Sequence, residues 1–241
     1  MEFKNHKIIE TVVAVRFNNP NIEWDYTYFS VFYELVKALG FTKKDEIKPI
    51  KLNFRVEPNK HISQAERTEG EAKMVFKNES EDIAIIYSRN YFSLHFLNDY
   101  KGWDDFKNLL NKVFEKYQSI HNSSNIASIQ MIYINKFNVS RNEKAYNFLN
   151  YIPKIEFGEG QELSHIFQSN YRIEPNKILN IKSSIENITS SNEKNIILEC
   201  NCVSEFSDSF STWDDLREDA HKYAKKIFES VVTDELKTKI S

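Results

Sequence analysis

Glycine is scarce in this chain, with five copies among 241 residues, and so is cysteine, with two. Few glycines argue against the phosphate-cradling loops of Walker and dinucleotide sites, and against the many tight βα turns of a doubly wound sheet. Cys200 and Cys202 are too few for a disulfide framework, which points to the cytoplasm. The longest apolar run covers five residues, Ile83 to Tyr87, so no segment reads as a membrane span. The opening "MEFKNHKIIE" has no apolar core of the signal-peptide kind. One-sided charge is missing too. A formal net charge of -3, with both signs interspersed, lacks the positive excess of a typical nucleic-acid binder.

Catalytic signatures are equally thin. Six histidines are scattered, at His6, His61, His95, His121, His165 and His221, and none belongs to an HExxH motif. There is no G-x-S-x-G elbow. In a strand Cys200 and Cys202 face the same way, yet zinc would need two further ligands from elsewhere. His95 sits in "YFSLHFL" opposite the face shared by Phe92, Leu94 and Phe96, where a solvated or hydrogen-bonded histidine is the plain reading. No cofactor is called for.

What the chain does have is repetition. "NFRVEPNK" from Asn53 to Lys60 returns as "NYRIEPNK" from Asn170 to Lys177, 117 positions later. "GWDDFKNLLNKVFEKY" from Gly102 is echoed by "TWDDLREDAHKYAKKI" from Thr212 at an offset of 110. Apolar positions recur there every three and four residues, so both segments read as amphipathic helices with one buried stripe. The paired Asp after each Trp suits the positive end of a helix, with Thr212 as N-cap. A fainter echo links "VVAVRF" from Val12 with "MIYINKF" from Met131, both β-branched-rich strand candidates.

These patterns predict strands near 8–17, 50–57, 71–77 and 82–97 and helices over 25–39 and 103–120 in the first half. The second half has strands near 127–139, 166–174, 177–187 and 194–206, a short helix near 143–151, and a long one over 213–234. The expected fold class is α+β: a tandem duplication of a β-α-β-β-β-α unit with mainly antiparallel sheets and helices packed on them. The two repeats would span 1–121 and 126–241, joined at the polar stretch His121 to Asn125, and pack together.

The repeated polar letters are the candidate site. In an extended strand Asn53, Arg55 and Glu57 share one face, as do Asn170, Arg172 and Glu174. Arg and Glu two apart can hold each other in a charged pair. Alternatively, Arg55 and Arg172 offer rigid forks to an anion or nucleotide from two sides of one cleft.

"IIETVVAVRF", a helix beginning "GWDDF" and "IQMIYINKFNV" together resemble an uncharacterised family of about this length, distributed sporadically among bacteria and archaea. Tyr133, Ile134, Asn135 and Lys136 match its mid-chain strand, while Ile132 stands where that family commonly has Arg. The resemblance brings Asn135 and Lys136 into the candidate set with Arg55, Glu57, Arg172 and Glu174. It implies no activity, but its distribution is like that of mobile defence or toxin-antitoxin genes. The expectation is a non-enzymatic binding or regulatory protein of such a system, taking a protein partner, a second copy of itself, or a small anionic ligand. A metal-dependent nuclease or nucleotide hydrolase is the rival, and an RNA-binding tandem α+β module the third reading; nucleic acid ranks below the other partners.

Overall fold

Strand β1 (Ile8–Phe17) supplies the middle of the molecule because it is apolar on both faces: Val13, Val15 and Phe17 enter the main core, while Val12 and Ala14 are buried on the other side. The computed structural model describes residues 8–18, 24–48, 50–55, 64–69, 71–98, 100–121, 125–154, 164–188, 192–206 and 212–240, with the backbone alone for 50–55, 64–69 and 240.

Helix α1 (Thr27–Lys37) follows, then β2 (Phe41–Ile47), the hairpin β3 (Ile50–Arg55) and β4 (Gln64–Glu69), and strands β5 (Lys73–Asn78), β6 (Ile83–Ser88) and β7 (Tyr91–Leu97). Helix α2 (Trp103–Ile120) closes the first half. The second half holds β8 (Ile126–Ser140), a 3-10 turn at Ala145–Asn147, β9 (Ile166–Glu174), β10 (Lys177–Asn187), β11 (Glu193–Glu205), α3 (Trp213–Val231) and α4 (Asp234–Ile240). Nine strands form one sheet in the order β2-β5-β6-β7-β1-β8-β11-β10-β9, every neighbouring pair antiparallel. The fold is mixed α+β, with helices packed against a large antiparallel sheet.

The expected element pattern changes in five places, the first being that the helix expected over 213–234 ends at Val231 and a separate α4 covers Asp234–Ile240. The apolar run over 82–97 is a hairpin, because Arg89 and Asn90 make a two-residue turn flanked by the pair Ser88 and Tyr91. Strand β2 reads "FTKKDEI", too charged to announce itself, and its backbone completes one edge of the sheet. The short helix expected near 143–151 is a single 3-10 turn. Finally, β3 carries the start of the first octapeptide in a separate two-stranded sheet with β4, whereas β9 carries the second at the edge of the large one. The two halves therefore do not repeat element for element.

One face of the sheet is covered by helices. On β8 the residues Ile129, Met131, Tyr133, Phe137 and Val139 alternate into this core, meeting Leu198, Cys200 and Cys202 of β11. Helix α2 contributes Phe106, Leu110, Val113, Phe114 and Tyr117, and α3 contributes Leu216, Ala220, Ala224, Ile227 and Phe228. Thr212 caps α3 as expected: its hydroxyl accepts from the Asp215 backbone N–H at 3.1 Å and donates to the Asp215 carboxylate at 2.8 Å.

The two Trp-led helices meet reciprocally. Trp103, at the start of α2, stacks on His221 of α3 with centroids 4.1 Å apart and donates to Glu218 at 3.1 Å. Trp213, at the start of α3, stacks on Phe114 of α2 at 4.2 Å and donates to Asn111 at 3.2 Å. Each N-terminus thus lies on the middle of the other helix, so the pair runs antiparallel across the β1–β8 junction. Arg217, only 4% exposed, reaches Asn111, Asp214 and Glu218 at the same crossing. Replacing Trp213 with Ala removes both the stack and the indole N–H. It should cost about 3 kcal/mol in urea unfolding, against roughly 1 kcal/mol for Trp213→Phe, which keeps a stacking ring.

Candidate ligand groove on the helix-free sheet face

Strand alternation sends a second set of side chains away from the helices. Glu10, Val12, Ala14 and Arg16 of β1 lie opposite Leu97, His95, Ser93 and Tyr91 of β7 on that face. Next to them come Ala84 and Ile86 of β6, Val75 and Lys77 of β5, and Asp45 of β2. Ala84 is the small residue among them: its methyl group lies between Lys77 of β5 and His95 of β7. A groove on this face has a volume of about 330 Å³ and is lined by Glu10, Asp45, Ile47, Val75, Lys77, Ala84, Ile86, His95 and Leu97.

Its two ends are polar. At one, His95 Nδ1 lies 2.9 Å from Glu10 Oε1, and His95 Nε2 lies 2.8 Å from the Ser93 hydroxyl. A carboxylate oxygen accepts, so Nδ1 is the donor to Glu10, and Nε2 pairs with the Ser93 hydroxyl. At the other end Lys77 bridges Asp45 at 3.3 Å and Glu81 at 3.2 Å, and Glu81 also holds Lys43 at 3.0 Å. Donating to Glu81 raises the Lys77 pKa, and accepting from Lys43 lowers that of Glu81, so this end is a fixed cluster of paired charges.

Ser93, His95 and Glu10 have the connectivity of a nucleophile, a base and an orienting carboxylate. The geometry does not support acyl transfer. Ser93 is fully buried and does not line the groove, and its strand is paired on both sides, by β1 and β6. Backbone N–H groups there serve the ladder rather than a developing oxyanion. What the triad offers is a hydrogen-bonding end to an apolar trough.

The sequence-derived candidates lie elsewhere. Arg172 sits on the helix-free face of β9 and donates to the Pro175 carbonyl. A register shift between Lys177 and Ile178 puts Ile173 into a bulge, so Glu174 turns to the helix side. There Glu174 accepts from Tyr223 at 2.7 Å and from Lys177 at 3.0 Å, and those bonds lower its pKa. The expected sharing of one face by Arg172 and Glu174 is thus overturned, and "EPNK" serves as a hairpin turn whose flanking pair is a salt bridge. Lys177, 2% exposed, also binds Asp219 at 2.9 Å and lies 3.7 Å from the Tyr223 ring centre. Burial works against its charge, but the hydrogen bonds it donates to Asp219 and Glu174 outweigh it and raise the pKa. Asn135 is buried on the helix side, donating to the Leu198 carbonyl at 3.2 Å, while neighbouring Lys136 points to the opposite face. Arg55 belongs to β3, where only backbone is described, and Glu57 lies outside the described residues.

Two partly buried aromatic–histidine clusters hold the helix side together. Tyr100, Tyr133 and His221 form a chain with separations of 3.2 and 2.8 Å, capped by Trp103. Tyr87 contacts His121 at 2.7 Å within a cage of Trp24, Tyr28 and Tyr117. Burial pushes Tyr100 up to about 12 and Tyr133 well above its ordinary value, and it holds both His121 and His221 down at about 4. Cys200 and Cys202 are buried on this side as well, and desolvation pushes Cys202 up to about 11. Among the described residues no three His, Cys, Asp or Glu side chains gather as a metal site, and no helix is long and apolar enough to cross a membrane.

Neither the family models nor the curated proteins include a match to this chain. Among solved structures, it is similar to the di-domain ARO/CYC StfQ from the steffimycin biosynthetic pathway, at 8% identity over 92% of this chain and 93% of that one. The TM-score is 0.18, which does not establish a shared fold.

The two depressed histidines give a pH prediction. Their unfolded pKa is near 6.5 and their folded value about 4, so the unfolded chain binds more protons between these limits. The stability they confer is complete above pH 6.5 and is lost as pH falls toward 4. The melting temperature should drop by roughly 5 °C or more between pH 7 and pH 5. In His121→Gln and His221→Gln that slope should flatten even though stability at pH 7 is lower; curves parallel to the parent protein would contradict it.

Proposed function

We propose that this chain is a non-enzymatic cytoplasmic binding protein whose groove on the helix-free face takes a small, largely apolar ligand with a hydrogen-bond-donating or cationic head. One observation supports it most: an apolar trough ends on the Glu10–His95 pair, which nothing in the packing of the helices requires. Ile47, Val75, Ala84, Ile86 and Leu97 offer a flat ring apolar contact, and Glu10 is the acceptor for its head.

Lys77 is engaged with Asp45 and Glu81, and the groove carries Glu10 and Asp45, so its charge favours a neutral or cationic ligand over the anionic one expected from the sequence. The helix-free face bears Arg16, Lys136, Lys182 and Arg172 interspersed with Glu10 and Glu199, which weighs against a continuous nucleic-acid track. The resemblance of "IIETVVAVRF" and "YINK" to a sporadically distributed family supports a place in phage defence or a toxin-antitoxin-like system, with the ligand as signal. We extend the same reading to ancestry: residues 1–121 and 126–241 descend from one α+β unit, whose strands lie in the matching sheet orders β1-β7-β6-β5 and β8-β11-β10-β9.

Benzamidine, a flat ring with an amidinium head, is the first probe. Its titration should shift the NMR signals of His95, Ile86 and Leu97. Ala84→Phe, which fills the trough, should abolish the shifts, and Glu10→Gln should weaken binding about tenfold by replacing a charge-assisted hydrogen bond. Shifts that map outside the groove, or that survive Ala84→Phe, would remove the basis for this reading.

A further inference from the structure

The two edges of the nine-stranded sheet are built differently. Edge strand β2 carries Lys43, Lys44, Asp45 and Glu46 in succession, the charged pattern that keeps an edge from pairing with another chain. Edge strand β9 has a single charge, Arg172, between Ile166 and Ile173. Among the described residues β9 pairs with β10 alone, and Ile166, Tyr171 and Ile173 are 77%, 48% and 41% exposed. Seven residues of regular register, Ile166 to Arg172, precede the bulge, and among the described residues no strand pairs with the backbone donors and acceptors on their outer side.

We propose that β9 pairs antiparallel with β9 of a second copy of this chain, about a twofold axis that passes Ser169 perpendicular to the sheet. The axis keeps the helix-covered faces on one side, so residues opposite one another must belong to the same face. Centring on Ser169 meets that condition and is self-complementary. On the helix side Phe167 faces the second copy's Tyr171 twice, with Ser169 facing itself. On the other side Ile166 faces Arg172 and Gln168 faces Asn170. No like charges oppose each other, and two aromatic cross-strand pairs form. A partner strand of unrelated sequence would satisfy the backbone equally, but this register pairs every side chain from Ile166 to Arg172 with one of the same strand. The product is a continuous sheet of twice nine strands, with the charged β2 edges outermost and both grooves left open.

Gln168 and Asn170 are exposed and hold nothing in the monomer's core, so they permit a charge test. Sedimentation velocity of the full chain, from a few µM to about 100 µM, should reveal a reversible dimer of the strength expected for a small interface. Combining Gln168→Lys with Asn170→Lys sets like charges opposite one another on both sides of the axis and should weaken the dimer by about tenfold or more. Combining Gln168→Lys with Asn170→Glu sets opposite charges there and should restore it. A parent protein that stays monomeric over this range overturns the proposal. So does a dimer indifferent to the first double variant, or one weakened equally by both. Unchanged melting temperatures of the two variants at low concentration separate loss of pairing from loss of fold.

Discussion

The reciprocal seating of Trp103 and Trp213 is the constraint on which the rest of the molecule hangs. Each indole stands at a helix N-terminus, lies flat on a ring of the opposite helix and donates its N–H to that helix's polar side chain. This fixes α2 and α3 as an antiparallel pair over the place where β1 meets β8. Strand pairing there joins the first half of the chain to the second through seven consecutive register positions from Glu10 to Arg16, with register shifts just before and just after that run. Once those two contacts are made, the remaining strands can only extend outward, β7-β6-β5-β2 on one side and β11-β10-β9 on the other.

That arrangement divides the work between the faces. The helix side is packed with rings and holds its polar groups in closed sets: Tyr100–Tyr133–His221, Tyr87–His121, and Lys177 with Glu174 and Asp219. Burial keeps both histidines neutral at physiological pH, so they serve as acceptors and stacking partners rather than as acid–base groups. The helix-free side has no such obligation. There the small residue Ala84 lines a trough, and Glu10 and His95 meet at its end across 85 positions of sequence.

Much of the helix side was legible in the sequence. The apolar spacing after each Trp marks α2 and α3, and the β-branched runs mark β1, β8 and β10, because burial of one face imposes a period that survives in one dimension. The capping role of Thr212 could be read from its distance to Asp215. What escaped was of a different kind. Strand β2 is stabilised by its neighbour rather than by its own composition. Residues Arg89 and Asn90 turn the chain inside an otherwise continuous apolar run. The bulge at Ile173 reverses the face of Glu174, which no period-two reading anticipates. The groove was hidden because Glu10 and His95 are unremarkable singly; only register brings them together. A polar residue breaking an apolar strand at "IIETVV", together with the polar alternation of Ser93 and His95, was the available signal.

The central claim is that the β1–β8 junction and the crossed tryptophans make one cooperative body of the nine strands. Native-state hydrogen exchange as a function of low urea measures this directly. Amides of β6 and β7 in the first half and of β10 and β11 in the second should converge on a single opening free energy with the same urea dependence, and β1 and β8 should share it. If instead β5 to β7 open at a lower free energy than β10 and β11, with a smaller urea dependence, the halves unfold independently and the account is contradicted.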